Sequence, residues 1–146
     1  MKTIFKEDYL ECFYDEANSV LFHVWIRKPS SEEFKDGLTR VYDTYLSHKK
    51  TGTLLHWLGD TRNMGVLSID VQQWLDEVWN EMLFVKAGVK THAVIVGKDV
   101  FAKYAMDKFK NAMMEKFAAQ KIHLDTFEDR EAAYAWFRSV EKDRAA

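Results

Sequence analysis

The chain has little of what builds disulfide frameworks and flexible linkers: its 146 residues include one cysteine, one proline and six glycines. A single cysteine excludes an internal disulfide. Cys12 also lies in an apolar strand pattern, which favours a buried, inert thiol over a nucleophile. So little proline and glycine leaves no room for a linker or a low-complexity tail. We therefore predict a single domain over residues 1–146, in a reducing compartment such as the cytoplasm.

An excess of one charge and a long apolar run are also missing. The 21 basic and 23 acidic residues nearly cancel, which gives a formal net charge of -2. A nucleic-acid surface usually needs a basic patch, and a membrane-spanning helix needs about 18 or more consecutive apolar residues. We therefore expect neither a nucleic-acid partner nor a membrane span.

The sequence lacks the short motifs that carry common chemistry. It contains no GxGxxG or GxxxxGK[ST] phosphate cradle, no GxSxG elbow, and no CxxC or HExxH metal motif. Four histidines fall in predicted strands without a second metal ligand at short spacing, which favours satisfied structural histidines over a metal site. These are His23, His56, His92 and His123. We therefore expect no cofactor, no metal, no catalytic residue and no enzymatic activity.

A regular alternation of strand and helix patterns runs along the chain. Strands are predicted at residues 3–6, 9–14, 19–26, 53–58, 91–96 and 122–125. Helices are predicted to begin at the capping box of Ser30 and Glu33, at Ser68, at Asp99 and after residue 127. A hairpin followed by alternating helices and strands predicts an α/β fold. We expect a single-domain, mixed and mostly parallel sheet of five or six strands, with an N-terminal antiparallel hairpin and four helices.

Apolar residues at helical spacing predict the buried faces of these helices. The inward sets are Phe34, Leu38, Val41, Tyr42, Tyr45 and Leu46 in helix one; Phe101, Tyr104, Ala105, Phe109, Ala112, Met113 and Phe117 in helix three; and Ala132, Ala133, Trp136, Phe137 and Val140 in the closing helix. Helix two, near residues 68–87, is apolar over a wide arc that includes Trp74 and Trp79. That excess indicates a buried helix, a partner surface or the wall of an apolar pocket.

A binding site is expected beyond the carboxyl ends of the parallel strands. Three loops are predicted to meet there, at residues 59–65, 97–99 and 126–129. The first is the longest and most polar, and Asp60, Arg62 and Asn63 are its candidate site residues. The alternative is ordinary turn chemistry, in which Asp60 and Arg62 pair with each other or cap the next helix.

Two stretches resemble the SpoIIAA-like proteins, the group that shares its fold with the STAS domains of sulfate transporters and anti-sigma factor antagonists. Residues 54–62, Leu-Leu-His-Trp-Leu-Gly-Asp-Thr-Arg, are similar to that family's central strand, which ends in Asp. Residues 127–137, Phe-Glu-Asp-Arg-Glu-Ala-Ala-Tyr-Ala-Trp-Phe, are similar to its closing pattern. The order of elements resembles the family over nearly the full length. At the level of fold, the resemblance extends to lipid-transfer domains of the Sec14 type.

The resemblance implies a small regulatory domain that binds protein partners. In the true anti-sigma factor antagonists, a serine at the start of the helix after the central strand is phosphorylated by a partner kinase. Ser68 holds a similar place, although the family's usual Asp-Ser-Ser-Gly run is replaced by Gly65-Val66-Leu67-Ser68-Ile69-Asp70. Ser68 is therefore a candidate phosphorylation site or a plain helix N-cap.

Three hypotheses of function follow from these observations. The first is a non-enzymatic, cytoplasmic protein-interaction or regulatory module of the STAS-like type, which forms a homodimer. The second is a protein that binds a small apolar molecule or lipid in a pocket near helix 68–87, with Asp60, Arg62 and Asn63 at its mouth. The third is an enzyme that uses Asp60 and Arg62 as acid/base and anion clamp.

Overall fold

The computed structural model describes residues 1–145, and its centre is a six-stranded sheet with the strands in sequence order. The strands are β1 Lys2–Lys6, β2 Leu10–Asp15, β3 Val20–Trp25, β4 His56–Asp60, β5 Thr91–Ile95 and β6 His123–Phe127. β1, β2 and β3 are antiparallel neighbours, and β3 to β6 run parallel. The predicted α/β fold with a mixed, mostly parallel sheet is therefore confirmed.

The helices follow the strands from β3 onwards. They are α1 Ser31–His48, α2 Ile69–Trp74 with its π-helical continuations Leu75–Trp79 and Met82–Lys86, α3 Val100–Lys116, and α4 Arg130–Ala145. Within residues 1–145, none of these helices combines the length and the apolar character that crossing a bilayer requires.

The two faces of the sheet are covered by different helices. Parallel strands in sequence order, joined by right-handed crossovers, place all the crossover helices on one side. Accordingly α1, α2 and α3 pack on one face, which we call the three-helix face, and α4 packs on the other. Side chains alternate between the faces along each strand. The three-helix face receives Leu21, Trp25, Trp57, Val94 and Leu124, and the α4 face receives Val20, Phe22, Leu58, Ala93 and Ile95.

Two strands are displaced from their predicted positions. The strand predicted at residues 53–58 is β4, His56–Asp60, and the strand predicted at residues 122–125 is β6, His123–Phe127. Gly59 and Asp60 were expected in a loop because they are turn-forming residue types. In the sheet Gly59 lies between His23 of β3 and Val94 of β5, so pairing on both sides overrides the local preference.

The first helix begins and packs as its sequence indicates. Ser30 Oγ accepts a hydrogen bond from the Glu33 backbone N–H at 3.1 Å, and Glu33 Oε1 accepts one from the Ser30 N–H at 2.8 Å. This reciprocal capping box fixes the start of α1. The predicted inward set is buried except for Leu46, which is exposed. Tyr45 packs against the segment that leads into β4, and its hydroxyl donates to Leu55 O at 3.2 Å. Leu46, the next residue, points away from this contact.

The prediction of a regular α-helix over residues 68–87 is wrong after its first two turns. The chain forms π-helical turns, in which the Asn80 N–H bonds to Leu75 O and the Ala87 N–H bonds to Met82 O. A π turn holds more residues than an α turn, so a wider arc of side chains faces the sheet. The excess of apolar residues on this helix is therefore mostly core. Val78 and Val85 stay exposed.

The predicted inward face of the third helix is half wrong. Met113 and Phe117 are buried and Phe109 is half-buried, but Phe101, Tyr104, Ala105 and Ala112 are exposed. Two apolar series run along this helix about 100° apart. The series that includes Met106 and Phe109 contacts the core, and the other faces outwards.

The closing helix packs on its own face of the sheet. Ala133, Phe137 and Val140 are buried and Trp136 is half-buried, as predicted, whereas Ala132 is exposed. Ala132 lies in the first turn, where its N–H bonds to Asp129 Oδ1 at 2.9 Å.

Candidate functional site

The predicted site residues Asp60 and Arg62 form a closed pair at the carboxyl edge of the sheet. Arg62 donates from Nε to Asp60 Oδ1 at 3.0 Å and from Nη2 to Oδ2 at 2.6 Å, and its backbone N–H bonds to Oδ1 at 3.1 Å. Asp60 is buried, and its hydrogen bonds raise the pKa of Arg62. The described side-chain bonds of Asp60 and Arg62 are to each other, Thr61 between them donates to Ile95 O of β5, and Asn63 is exposed. This is the turn chemistry named as the alternative.

Three connections meet around this pair. A Cβ on Gly65 would lie 3.1 Å from Lys28 Cδ, and a Cβ on Gly97 would lie 3.2 Å from Arg62 Cδ. Both glycines have positive φ, 77° and 70°, which other residues adopt at a cost. The methylene groups of Lys28 and Arg62 therefore pack against glycines of neighbouring loops, and these loops form a continuous surface at the carboxyl edge.

A groove of about 370 Å³ lies on this edge, between the starts of α1 and α2. Its lining combines apolar side chains with hydroxyls and one lysine: Lys28, Pro29, Ser30, Ser31, Phe34, Met64, Val66, Leu67, Ser68 and Val71. The predicted mouth residues Asp60, Arg62 and Asn63 lie outside this lining. The volume is within the range of small-ligand sites.

The two candidate tryptophans lie beneath the groove rather than in its wall. Trp79 is buried and Trp74 is half-buried, and their rings stack with centroids 5.5 Å apart. Trp74 also meets Phe34 edge-on at 6.3 Å. These contacts join α1 to α2 and make both tryptophans part of the core.

Ser68 has the backbone of an N-cap without its side-chain bond. Its φ and ψ are -69° and 162°, but its hydroxyl accepts no hydrogen bond from the described backbone of α2. The prediction of a plain side-chain cap is therefore wrong. Ser68 Oγ instead donates to Asp70 Oδ1 at 2.5 Å and lies 3.1 Å from Ser31 Oγ. The hydrogen bond from Ser68 lowers the pKa of Asp70, with Lys35 nearby at 3.5 Å. Ser68 is exposed.

Large apolar side chains are exposed to solvent at the same edge. Five of them are between 66% and 86% exposed: Val66, Ile69, Val100, Phe101 and Tyr104. The first two flank Ser68, and the other three begin α3 directly after the next loop. We call these five side chains, which lie near the starts of α2 and α3, the apolar cluster. Several exposed large apolar side chains at one edge, rather than a single one, are typical of a contact surface. The helical spacing of Phe101 and Tyr104 predicts that they lie in the core, so the sequence carries no signal for this surface.

A second unusual site lies inside the three-helix face. His23 on β3, His92 on β5 and Asn80 on the π-helical segment are 4%, 9% and 1% exposed. Within residues 1–145, their Nδ1, Nδ1, Nδ2 and Oδ1 atoms have no hydrogen-bond partner. An unsatisfied buried polar group costs about 1–3 kcal/mol, and native structures contain few of them. Four such atoms in three neighbouring elements therefore call for an explanation.

Aromatic contacts join the two histidines to Trp57. Trp57 meets the ring of His23 edge-on at 5.5 Å and that of His92 at 6.3 Å, and it contacts Trp79, the neighbour of Asn80, at 5.9 Å. Burial lowers the pKa of His23 to about 4, against the charge of Asp60. Burial, with a smaller effect of His23, lowers the pKa of His92 to about 3. Both imidazoles are therefore neutral at physiological pH.

The prediction of satisfied strand histidines is confirmed for His56 and is wrong for the Nδ1 atoms of His23 and His92, while His123 is exposed. On the α4 face, His56 Nδ1 lies 2.6 Å from Thr91 Oγ1 and Nε2 lies 2.5 Å from Glu141 Oε1. His23 and His92 on the three-helix face lack such partners for Nδ1. The sequence pattern of helix two gave no signal for Asn80, because a regular α-helix would not turn it inwards.

Among the residues described, no cluster of three or more histidine, cysteine or acidic side chains is placed to hold a metal ion. Searches of family models, of curated proteins and of solved structures find no match to the chain. The resemblance to the SpoIIAA-like proteins therefore stays a prediction.

Proposed function

We propose that the chain is a non-enzymatic protein-interaction module whose partner, a second copy of itself, binds at the carboxyl edge of the sheet. The observation that carries this proposal is the cluster of five exposed apolar side chains described above, which includes Phe101 and Tyr104. Interface cores are enriched in aromatic residues, and a large exposed apolar patch is unfavourable in water.

The charges on this edge suit a contact between identical surfaces. Arg62 lies near Asp129, Lys35 lies 3.5 Å from Asp70 and Lys28 lines the groove, so the edge carries both signs. In a two-fold symmetric contact, a residue of one copy faces a different residue of the other copy. A surface that carries both positive and negative side chains can therefore place opposite charges against each other across the contact. The net charge of -2 adds little repulsion between two copies.

Sedimentation velocity tests the proposed dimer. The wild-type chain is expected to sediment at twice its mass of 17.2 kDa. The Phe101→Ser variant is expected to sediment as a monomer, because it removes the most exposed aromatic ring of the cluster. Met114→Ser is the matched control, since Met114 is exposed on the same helix but far from the edge. A wild-type monomer at every soluble concentration contradicts the proposal, as does equal dissociation by both variants.

The regulatory part of the proposal rests on Ser68. Its hydroxyl is exposed, lines the groove and lies in the middle of the apolar cluster, between Val66 and Ile69. A phosphate there would add about -1.5 to -2 charges beside Asp70 and would oppose burial of the edge. Ser68→Asp is expected to weaken the dimer, with Ser47→Asp on the exposed end of α1 as the control. Equal dimer affinity in the wild type and Ser68→Asp would contradict the proposed regulation at Ser68.

A cytoplasmic location is part of the same proposal. Cys12 is free and buried, and burial raises the pKa of its thiol to about 12. A thiol of this kind needs no oxidising compartment.

The groove supports a second candidate function, the binding of a small amphipathic molecule. Phe34, Leu67 and Val71 form its apolar floor, while Ser31 and Lys28 supply polar groups at its rim. Native mass spectrometry of protein purified from cells tests it. A bound adduct that is lost in Val71→Asp but kept in Val78→Asp, which lies on the solvent side of the same helix, supports this candidate. An adduct that both variants keep, or a wild-type chain with no adduct, counts against it.

A further inference from the structure

A groove of about 220 Å³ lies between the β2–β3 turn and the second half of α4. α4 follows β6 and packs back across the sheet, so its last turns return to the edge where the parallel strands begin. This edge is opposite to the carboxyl edge that carries the apolar cluster. The lining, which we call the amino-edge groove, combines polar, apolar and charged groups, among them Ser19, Val20, Tyr134, Phe137, Arg138 and Glu141.

Hydrogen bonds hold the β2–β3 turn in place beside α4. Asp15 accepts from the Tyr134 hydroxyl at 2.7 Å and from the Asn18 side chain at 2.9 Å. Ser19 has a φ of 56°, in the left-handed region that residues other than glycine adopt at a cost. Its hydroxyl donates to Leu54 O at 2.7 Å and so anchors this conformation. Backbone of this kind is concentrated at functional sites, and here it forms part of the wall of a groove.

A buried histidine positions the carboxylate of Glu141. His56 is fully buried, and its Nε2 lies 2.5 Å from Glu141 Oε1. Burial lowers the pKa of His56 in spite of the charge of Glu141, so the ring is neutral at physiological pH and does not cancel that charge. The side chain of Glu141 is 44% exposed. Within residues 1–145 its hydrogen bond uses Oε1 alone, which leaves Oε2 open to a ligand.

Arg138 supplies the opposite charge one turn earlier on α4. Residues three apart on a helix have Cβ atoms about 5–6 Å apart, and Arg138 and Glu141 both line the groove. In the described part of the chain, Arg138 is exposed and forms no ion pair with Glu141 or with another acidic side chain. The groove therefore presents a positive and a negative group on the same wall, and the two are not paired with each other.

We propose that the amino-edge groove binds a small zwitterion, an amino acid with a short apolar side chain, whose ammonium group pairs with Glu141 and whose carboxylate pairs with Arg138. Hydrogen bonds between charged groups are stronger than those between neutral ones. A ligand with a single charge pairs with only one of the two residues and therefore binds more weakly.

The groove also limits the size and the apolar part of the ligand. Its volume is below the roughly 300 Å³ at which sites for drug-sized ligands begin, so the ligand has few heavy atoms. Val20 and Phe137 are buried and form an apolar floor on which a short aliphatic side chain can lie.

A nuclear magnetic resonance titration of the full chain tests the inference with three matched probes. L-Valine carries both charges, isovalerate lacks the ammonium group, and isobutylamine lacks the carboxylate. L-Valine is expected to shift the signals of the Val20 methyl groups and the Tyr134 ring saturably and to leave those of Val78, on the other side of the sheet, unchanged. Isovalerate and isobutylamine are expected to bind roughly tenfold more weakly or not at all.

Two variants with matched controls assign the binding to the two charges. Arg138→Gln and Glu141→Gln are each expected to weaken the binding of L-valine roughly tenfold. Lys142→Gln and Asp143→Asn remove the same charges from exposed neighbours outside the groove and are expected to bind as the wild type does. Arg138→Gln is expected to keep the thermal unfolding midpoint of the wild type, so it reports on binding even where loss of the His56 contact makes Glu141→Gln less stable.

Three results would overturn the inference. One is a linear, unsaturable response to L-valine. Another is an equal affinity for isovalerate or isobutylamine, since the groove would then recognise a single charge. The third is an unchanged affinity in Arg138→Gln, or an equal loss in Lys142→Gln. Phe101→Ser is expected to bind L-valine as the wild type does, because Phe101 lies at the opposite edge, so the groove is tested independently of the proposed dimer.

Discussion

The histidines on the two faces of the sheet are equally withdrawn from water but differently bonded. His56 on the α4 face links Thr91 of β5 to Glu141 of α4 and stacks on the ring of Phe137 at 4.3 Å. His23 and His92 on the three-helix face have Nδ1 atoms without a partner in the described chain. Burial of a histidine therefore does not determine its role.

The difference separates a histidine that links elements by hydrogen bonds from two histidines that pack among aromatic rings. Both ring nitrogens of His56 are used, Nδ1 within the sheet to the fully buried Thr91 and Nε2 to Glu141 of α4. A substrate has no access to the buried Thr91 and His56, although a hydroxyl, an imidazole and a carboxylate in a row resemble a catalytic arrangement. On the other face, the described contacts of the His23 and His92 rings are with aromatic side chains. Three predictions test this comparison.

The largest expected effect is a loss of stability in mild acid. The pKa values of His23 and His92 are lowered by burial to about 4 and about 3, so the unfolded chain takes up protons that the folded chain does not. Stability is therefore full above the unfolded pKa of about 6.5 and is lost as the pH falls towards these lower values. Between pH 6.5 and pH 5 the two residues together are expected to remove about 3 kcal/mol, because each unfolded histidine is already half protonated at pH 6.5. Urea unfolding at a series of pH values measures it.

A variant assigns this loss to the three-helix face. His92→Leu is expected to reduce the slope of unfolding free energy by about 1.4 kcal/mol per pH unit below pH 6.5. His123→Gln, at the exposed start of β6, is the matched control. Burial also lowers the pKa of His56, which contributes with the same sign and remains in both variants. An unchanged slope in His92→Leu contradicts the assignment.

The second-largest effect is expected from replacing a buried histidine by leucine on each face in turn. His56→Leu leaves the buried Thr91 hydroxyl without its partner and removes the link to Glu141, so it is expected to lower the unfolding free energy by about 2–3 kcal/mol at neutral pH. His92→Leu removes an unsatisfied nitrogen from an aromatic environment and is expected to be neutral or to stabilise by about 1 kcal/mol. Chemical denaturation of ligand-free protein measures both. Equal destabilisation would show that His92 has partners in solution and would end the contrast between the faces.

The sequence predicts the fold better than it predicts the site, for physical reasons. Alternating apolar patterns and the capping groups of Ser30 and Asp99 depend on neighbours in sequence, and these predictions are confirmed. The closed Asp60–Arg62 pair also follows from two nearby residues in a turn.

The predictions that are wrong depend on contacts distant in sequence. Helix three offers two apolar faces, and packing against β6 chooses the one that leaves Phe101 and Tyr104 in solvent. Helix two has an α-helical pattern of apolar residues, but packing on the sheet supports π turns that rotate Asn80 inwards. Neither helix propensity nor the spacing of apolar residues contains information about contacts between distant parts of the chain.

The smallest of the three effects concerns Gly59, on which the His23 ring rests. Gly59→Ala would place a methyl group 2.8 Å from the ring, which must then move, at an expected cost of about 1–2 kcal/mol. The measurement is the unfolding free energy of a double-mutant cycle with His23→Ala. Removing the ring leaves room for the methyl group, so the cycle is expected to show about 1 kcal/mol of coupling.

The same cycle with His56→Ala is the control for that coupling. His56 lies on the α4 face and Gly59 meets His23 on the opposite face, so their costs are expected to add. Additivity in both cycles would mean that the His23 ring does not rest on Gly59 in solution. Coupling in both would mean that the faces communicate through β4, and the separation between the histidines of the two faces would fail. Coupling with His23 alone supports two faces that act independently.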